Sequence, residues 1–122
     1  MPFVNIALLA GKPNAYATAV ANGVNEAAIS VLDFPVDDRY QLITEYAPHQ
    51  LQLQNRTEDR VMLSVVMRSG KTAAQKKAFY KQVTEKLSID PGISPHNVMI
   101  TIVENEDIDW SFADGKASFL ES

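Results

Sequence analysis

Phe3-Val-Asn-Ile-Ala-Leu-Leu9 and Val61-Met-Leu-Ser-Val-Val-Met67 are two apolar runs, and each leads into a Gly-Lys step, Gly11-Lys12 and Gly70-Lys71, offset by 59 residues. An internal repeat of this kind makes each half one copy of the same supersecondary unit. A helical pattern follows each run. Tyr16, Val20, Val24, Ala27 and Val31 recur at three- to four-residue spacing in the first half, and Phe79, Val83 and Leu87 do so in the second. Thr72-Ala-Ala-Gln75 has the form of a capping box, in which side chain and backbone satisfy the first free amides of a helix reciprocally. Both halves then break at a proline turn, Phe34-Pro35 and Ser94-Pro95, before a further strand, Tyr40 to Tyr46 and Val98 to Val103.

The chain therefore reads as βαβ twice, an α+β fold with pseudo-repeats over 2–46 and 60–104 and a tail over 105–122. Ala47 to Asp59 is polar and irregular and joins the units. Neither half buries its own sheet face, so we expect a single domain over 1–122. Right-handed crossovers put both helices on one face of a four-stranded mixed sheet. Val61–Met67 and Val98–Val103 are apolar at both parities, the pattern of strands buried on both sides. Two helices cover only one side, which predicts a homo-oligomer.

Composition narrows the function. With 122 residues, 46% hydrophobic and 21% charged, the chain has the material for a core. It has no cysteine, which excludes disulfides and thiolate chemistry. A net charge of −4 argues against a nucleic-acid partner. No apolar run approaches the roughly 20 residues of a membrane span, so the expectation is a cytoplasmic protein without a membrane partner.

Topology brings chemistry to one rim. If the second unit runs antiparallel to the first, the start of strand one (Pro2) and of strand two (Asp38-Arg39) meet the ends of strand three (Arg68 to Lys71) and strand four (Glu104, then Asp109-Trp-Ser-Phe112). An N-terminal proline, a carboxylate, two cations and two aromatics then share one edge of the sheet.

These residues carry a family resemblance. Met1-Pro-Phe, Pro35-Val-Asp-Asp-Arg-Tyr-Gln41, Arg68-Ser-Gly-Lys-Thr72, Gln75-Lys-Lys-Ala-Phe-Tyr80 and Val103-Glu-Asn…Asp109-Trp-Ser-Phe112 with Phe119 resemble the tautomerase superfamily, in its malonate semialdehyde decarboxylase-like branch. The resemblance implies an enzyme without metal or organic cofactor, working as a trimer on a small carboxylate-bearing keto or enol substrate. It implies that loss of Met1 exposes Pro2 as the catalytic secondary amine, and that Asp38 pairs with the amine or activates water. It implies a carboxylate clamp at Arg68 and Lys71 and an apolar wall of Trp110, Phe112 and Phe119. One departure stands out: Lys71 replaces the family's second arginine, with one extra residue between the two cations. Lysine is a point charge without the bidentate fork, so the change bears more on decarboxylation than on general tautomerase chemistry.

The chemistry has its own logic. An α-amine titrates near 7.7 to 8.0, and apolar walls with neighbouring cations favour its neutral, basic form. Such a base carries a proton between the oxygen and carbon of an enol. If Asp38 instead holds the ammonium, Pro2 becomes a general acid, the state suited to hydration or decarboxylation of a 3-oxo acid. The competing expectation is a catalytically inactive scaffold or ligand-binding module on the same fold. Other motifs carry nothing: Ser69-Gly-Lys-Thr72 has Val65 where a phosphate loop needs glycine, and His49 and His96 lack ligand spacing.

Overall fold

The computed structural model describes residues 2–121. Met1 and Ser122 lie outside the described residues, and with Met1 the expected processing step and the first residue of the Met1-Pro-Phe match. The chain runs β1 (Phe3–Leu9), α1 (Asn14–Leu32), β2 (Tyr40–Tyr46), β3 (Val61–Arg68), α2 (Ala73–Ile89) and β4 (Val98–Asn105). Short 3-10 turns at Pro48–Gln50, Pro95–Asn97 and Asp107–Asp109 complete it. The sheet order is β2-β1-β3-β4. Each βαβ pair is parallel and the two pairs meet antiparallel through β1 and β3, with Phe3 opposite Val66.

Both helices cover one face. Val4, Ile6 and Leu8 of β1 and Val61, Leu63, Val65 and Met67 of β3 are buried with Val20, Val24, Ala27, Phe79, Val83 and Leu87. Gly23 lets the helices approach: a Cβ there would lie 3.1 Å from Leu87 Cδ2, tighter than ordinary contact. The expected capping box forms, with the Gln75 amide donating to Thr72 Oγ1 at 3.1 Å and the Thr72 amide donating to Gln75 Oε1 at 3.0 Å.

The opposite face carries Phe3, Asn5 and Ala7 in register with Tyr40, Leu42 and Thr44 on one side and Val66, Ser64 and Met62 on the other. Its outer strands stay open, with Leu42 55%, Met99 44% and Val103 51% exposed. Residues 47–60 do more than connect. Leu51 and Leu53 are buried against Leu9 and pack with Ala7, Tyr46 and Met62. The buried Arg60 guanidinium fastens the segment, donating to the carbonyls of Leu51 (2.8 Å), Glu58 (2.9 Å) and Pro48 (2.8 Å). No helix among the described residues is long and apolar enough to cross a membrane.

Candidate active site

Strand direction decides which side chains meet. Because β1 and β2 run parallel, Pro2 and Asp38 both stand at the strand-start edge. Because β3 runs antiparallel to β1, Arg68 ends its strand at that same edge, and the chain turns through Gly70 (φ 126°), a conformation that favours glycine. The turn delivers Lys71 just before α2. A cleft of about 530 Å³ opens there, lined by Asp33, Phe34, Pro35, Asp38, Arg68, Ser69, Gly70, Lys71 and Phe119.

Four of the residues singled out from sequence thus share one cleft: Asp38, Arg68, Lys71 and Phe119. Pro2 is buried at the head of β1 but is not part of the lining. Trp110 and Phe112 stand behind the lining. Their rings stack at 5.3 Å, and both meet Phe119 edge-on, at 6.4 and 5.4 Å. Tyr40 extends the cluster, 5.3 Å from Phe112, and Trp110 Nε1 donates to Asn105 Oδ1 at 2.6 Å.

The charges in the cleft are unequally committed. Arg68 lies over the Phe119 ring at 3.6 Å and donates to Asp107 Oδ1 at 3.1 Å. Lys76, early in α2, pairs with Glu104 at 2.6 Å. Lys71 sits over the Phe34 ring at 5.1 Å and, among the described residues, has no carboxylate within 4.0 Å. Asp38 Oδ2 is buried without a hydrogen-bond partner. A buried carboxylate oxygen left unpaired costs free energy that a ligand or a protonated amine would recover. Asp33 is held by Gln75 Nε2, which also donates to the Val31 carbonyl and so ties the end of α1 to the start of α2.

A model described as tautomerase enzyme matches residues 38–113. The chain belongs to the tautomerase family. It is a tautomerase-type enzyme, and two relatives from Bacillus subtilis (strain 168) align over nearly the whole chain. The probable tautomerase YusQ is 29% identical over 99% of this chain and 100% of its own, and the probable tautomerase YrdN is 30% identical over 98% and 97%. Among solved structures, FG41 malonate semialdehyde decarboxylase inhibited by 3-bromopropiolate superposes with TM-score 0.91 at 28% identity, covering 97% of this chain and 94% of that one. A malonate semialdehyde decarboxylase described with decarboxylase and hydratase activities superposes at 0.88 with 32% identity, covering 97% and 95%. A fused 4-OT symmetric trimer shares the tautomerase fold at TM-score 0.82 and 18% identity, covering 93% and 94%.

Sequence reasoning missed several residues in and around this cleft. Phe34 carries Lys71, Tyr40 widens the aromatic cluster, and Asp107 neutralises Arg68. Tyr40 had a signal, since it directly follows Asp38-Arg39. Asp107 had none, because its partner lies 39 residues away in sequence.

Proposed function

We propose that the chain is a cofactor-independent tautomerase acting on a small keto or enol acid, with Pro2 as the proton-transferring amine once Met1 is removed. The observation that carries this reading is the single cleft holding Asp38, Arg68, Lys71 and Phe119 at the edge where β1 begins. The substrate carboxylate docks on Lys71, the uncommitted cation, with Arg68 beside it. The reacting carbon then faces the N-terminal amine. Two cations favour the neutral amine, which takes a proton from the enol oxygen and returns one to carbon.

A second reading is favoured by one atom. The unpaired Oδ2 of Asp38 suits a role as partner to a protonated amine. Pro2 would then act as an acid in hydration or decarboxylation of a 3-oxo acid, the activities described for the 32%-identical relative. An inactive scaffold is the rival to both. The exposed Leu42, Met99 and Val103, together with the trimers known for this fold, support a homotrimer assembled through the open sheet face. We place the enzyme in the cytoplasm, consistent with its lack of any membrane-crossing helix among the described residues.

The test assays a phenylpyruvate enol and a 3-oxo acid with wild type, Pro2→Ala, Arg68→Ala and Lys71→Ala. Pro2→Ala replaces the ring amine with a less constrained primary amine and should lower turnover, by at most the roughly 10²- to 10⁴-fold that a positioned acid or base is worth. The two cation variants should chiefly raise KM. Which substrate turns over decides between base and acid chemistry. Equal turnover by Pro2→Ala would remove Pro2 from the mechanism, and no turnover of either substrate by wild type supports the scaffold instead.

A further inference from the structure

The cleft contains an imbalance that the carboxylate-docking reading does not use. Its lining has two cations, Arg68 and Lys71, and two carboxylates, Asp33 and Asp38. Asp107 comes in from the 3-10 turn after β4 and takes Arg68 Nη1 at 3.1 Å, while Phe119 holds the guanidinium at 3.6 Å. One cation is thus engaged before any substrate arrives, and Lys71 is left to receive an anion. A second carboxylate on the same molecule would have to compete with Asp107 for Arg68, in a cleft that already holds two negative groups.

We infer that Asp107 is a positioning residue that sets charge selectivity, restricting the cleft to acids with one carboxylate. This rests on the reading that Arg68 and Lys71 face the substrate carboxylate. Asp107 acts through Arg68 and need not touch substrate. Its neighbour Glu106 carries the same charge but engages Ser69 Oγ, at 3.2 Å, and not Arg68. Removing either carboxylate changes the net charge equally, and only one of the two frees the guanidinium.

The experiment is a chemical-shift titration at fixed ionic strength. It compares propionate with malonate (three carbons each, one carboxylate against two) on wild type, Asp107→Asn and Glu106→Gln. Wild type should bind malonate no more tightly than propionate. Asp107→Asn should raise the malonate-to-propionate affinity ratio about fivefold, the upper range for freeing an exposed ion pair. In Glu106→Gln the ratio should move less than about twofold, since surface charge at a distance is screened. An unchanged ratio in Asp107→Asn, or an equal rise in Glu106→Gln, overturns the assignment. If neither anion shifts the amides of Arg68 and Lys71 in any of the chains, carboxylate docking itself fails and the inference falls with it.

Discussion

The two ends of the sheet are copies of one design that have diverged in what they leave unpaired. The 59-residue offset that relates Gly11 to Gly70 also relates the 3-10 turn Pro48–Gln50 to Asp107–Asp109. It carries Lys12 onto Lys71, Asn97 onto Asp38, Leu51 and Leu53 onto Trp110 and Phe112, and Arg60 onto Phe119. At the 47–60 end Lys12 and Arg60 are held by acceptors, although Tyr16 OH and Arg56 Nε are buried without a hydrogen-bond partner. Lys12 pairs with Asp59 at 2.6 Å, Arg60 binds three backbone carbonyls, and the cavity beside Lys12 and Tyr16 measures about 60 Å³, while a separate cavity of about 590 Å³ opens on the uncovered sheet face beside Gln50, Leu51 and Gln52. At the other end aromatics replace the aliphatic plug, Lys71 lacks an acid partner among the described residues, Asp38 keeps a bare oxygen, and the cleft is about 530 Å³. The difference lies in the two repeat-related lysines: Lys12 is tied to a carboxylate beside an aliphatic plug, and Lys71 is left uncommitted in a cleft backed by aromatics.

The largest break in this comparison should come from Arg60. Arg60→Ala leaves three carbonyl acceptors behind and should lower unfolding stability by about 3 kcal/mol, read as a fall in the urea midpoint. Activity per folded molecule should hold, because the plug lies at the far end. Arg60→Lys should recover less than half of the loss, since an ammonium cannot reproduce the planar fork.

A smaller effect separates the paired lysines. Lys71→Ala should reduce kcat/KM by about 10- to 30-fold through loss of one charged contact, and Lys12→Ala by less than about twofold. Equal losses would mean that the two ends are not functionally distinct.

The smallest effect tests how completely the plugged end is satisfied. Tyr16 OH is buried there without a partner, and burial, with Asp59 nearby, pushes its pKa up from 10.0 to about 12. The folded state therefore holds that proton more tightly than the unfolded chain. Its contribution to stability is complete below pH 10 and is lost as pH rises toward about 12. Tyr16→Phe should change stability at neutral pH by less than about 1 kcal/mol and flatten the alkaline fall in Tm.

The repeat made the elements readable. Apolar runs and proline turns marked β1 and β2 at their observed bounds and β3 and β4 to within two residues. Thr72-Ala-Ala-Gln75 announced its helix because capping is local. The convergence of Asp38, Arg68 and Lys71 was also legible, since strand polarity fixes which ends meet. Other features were silent. Leu51 and Leu53 alternate with Gln50, Gln52 and Gln54 in a stretch too short and too polar to betray burial, and Arg60 gives no sign of being a clasp. The Asp107–Arg68 pair and the bare oxygen of Asp38 arise only when distant segments fold together. Sequence also suggested Trp110 and Phe112 as an apolar wall with Phe119; the three rings do pack together, with Phe119 alone among the residues lining the cleft.

The most direct measurement is the intact mass of the untagged native protein. The expected result is a chain lighter by one methionine, with Pro2 as a free secondary amine. A protein that retains Met1, or carries an acyl group on Pro2, would have an amide in place of the basic Pro2 nitrogen, and that result would contradict the proposed chemistry while leaving the twofold-repeated fold intact.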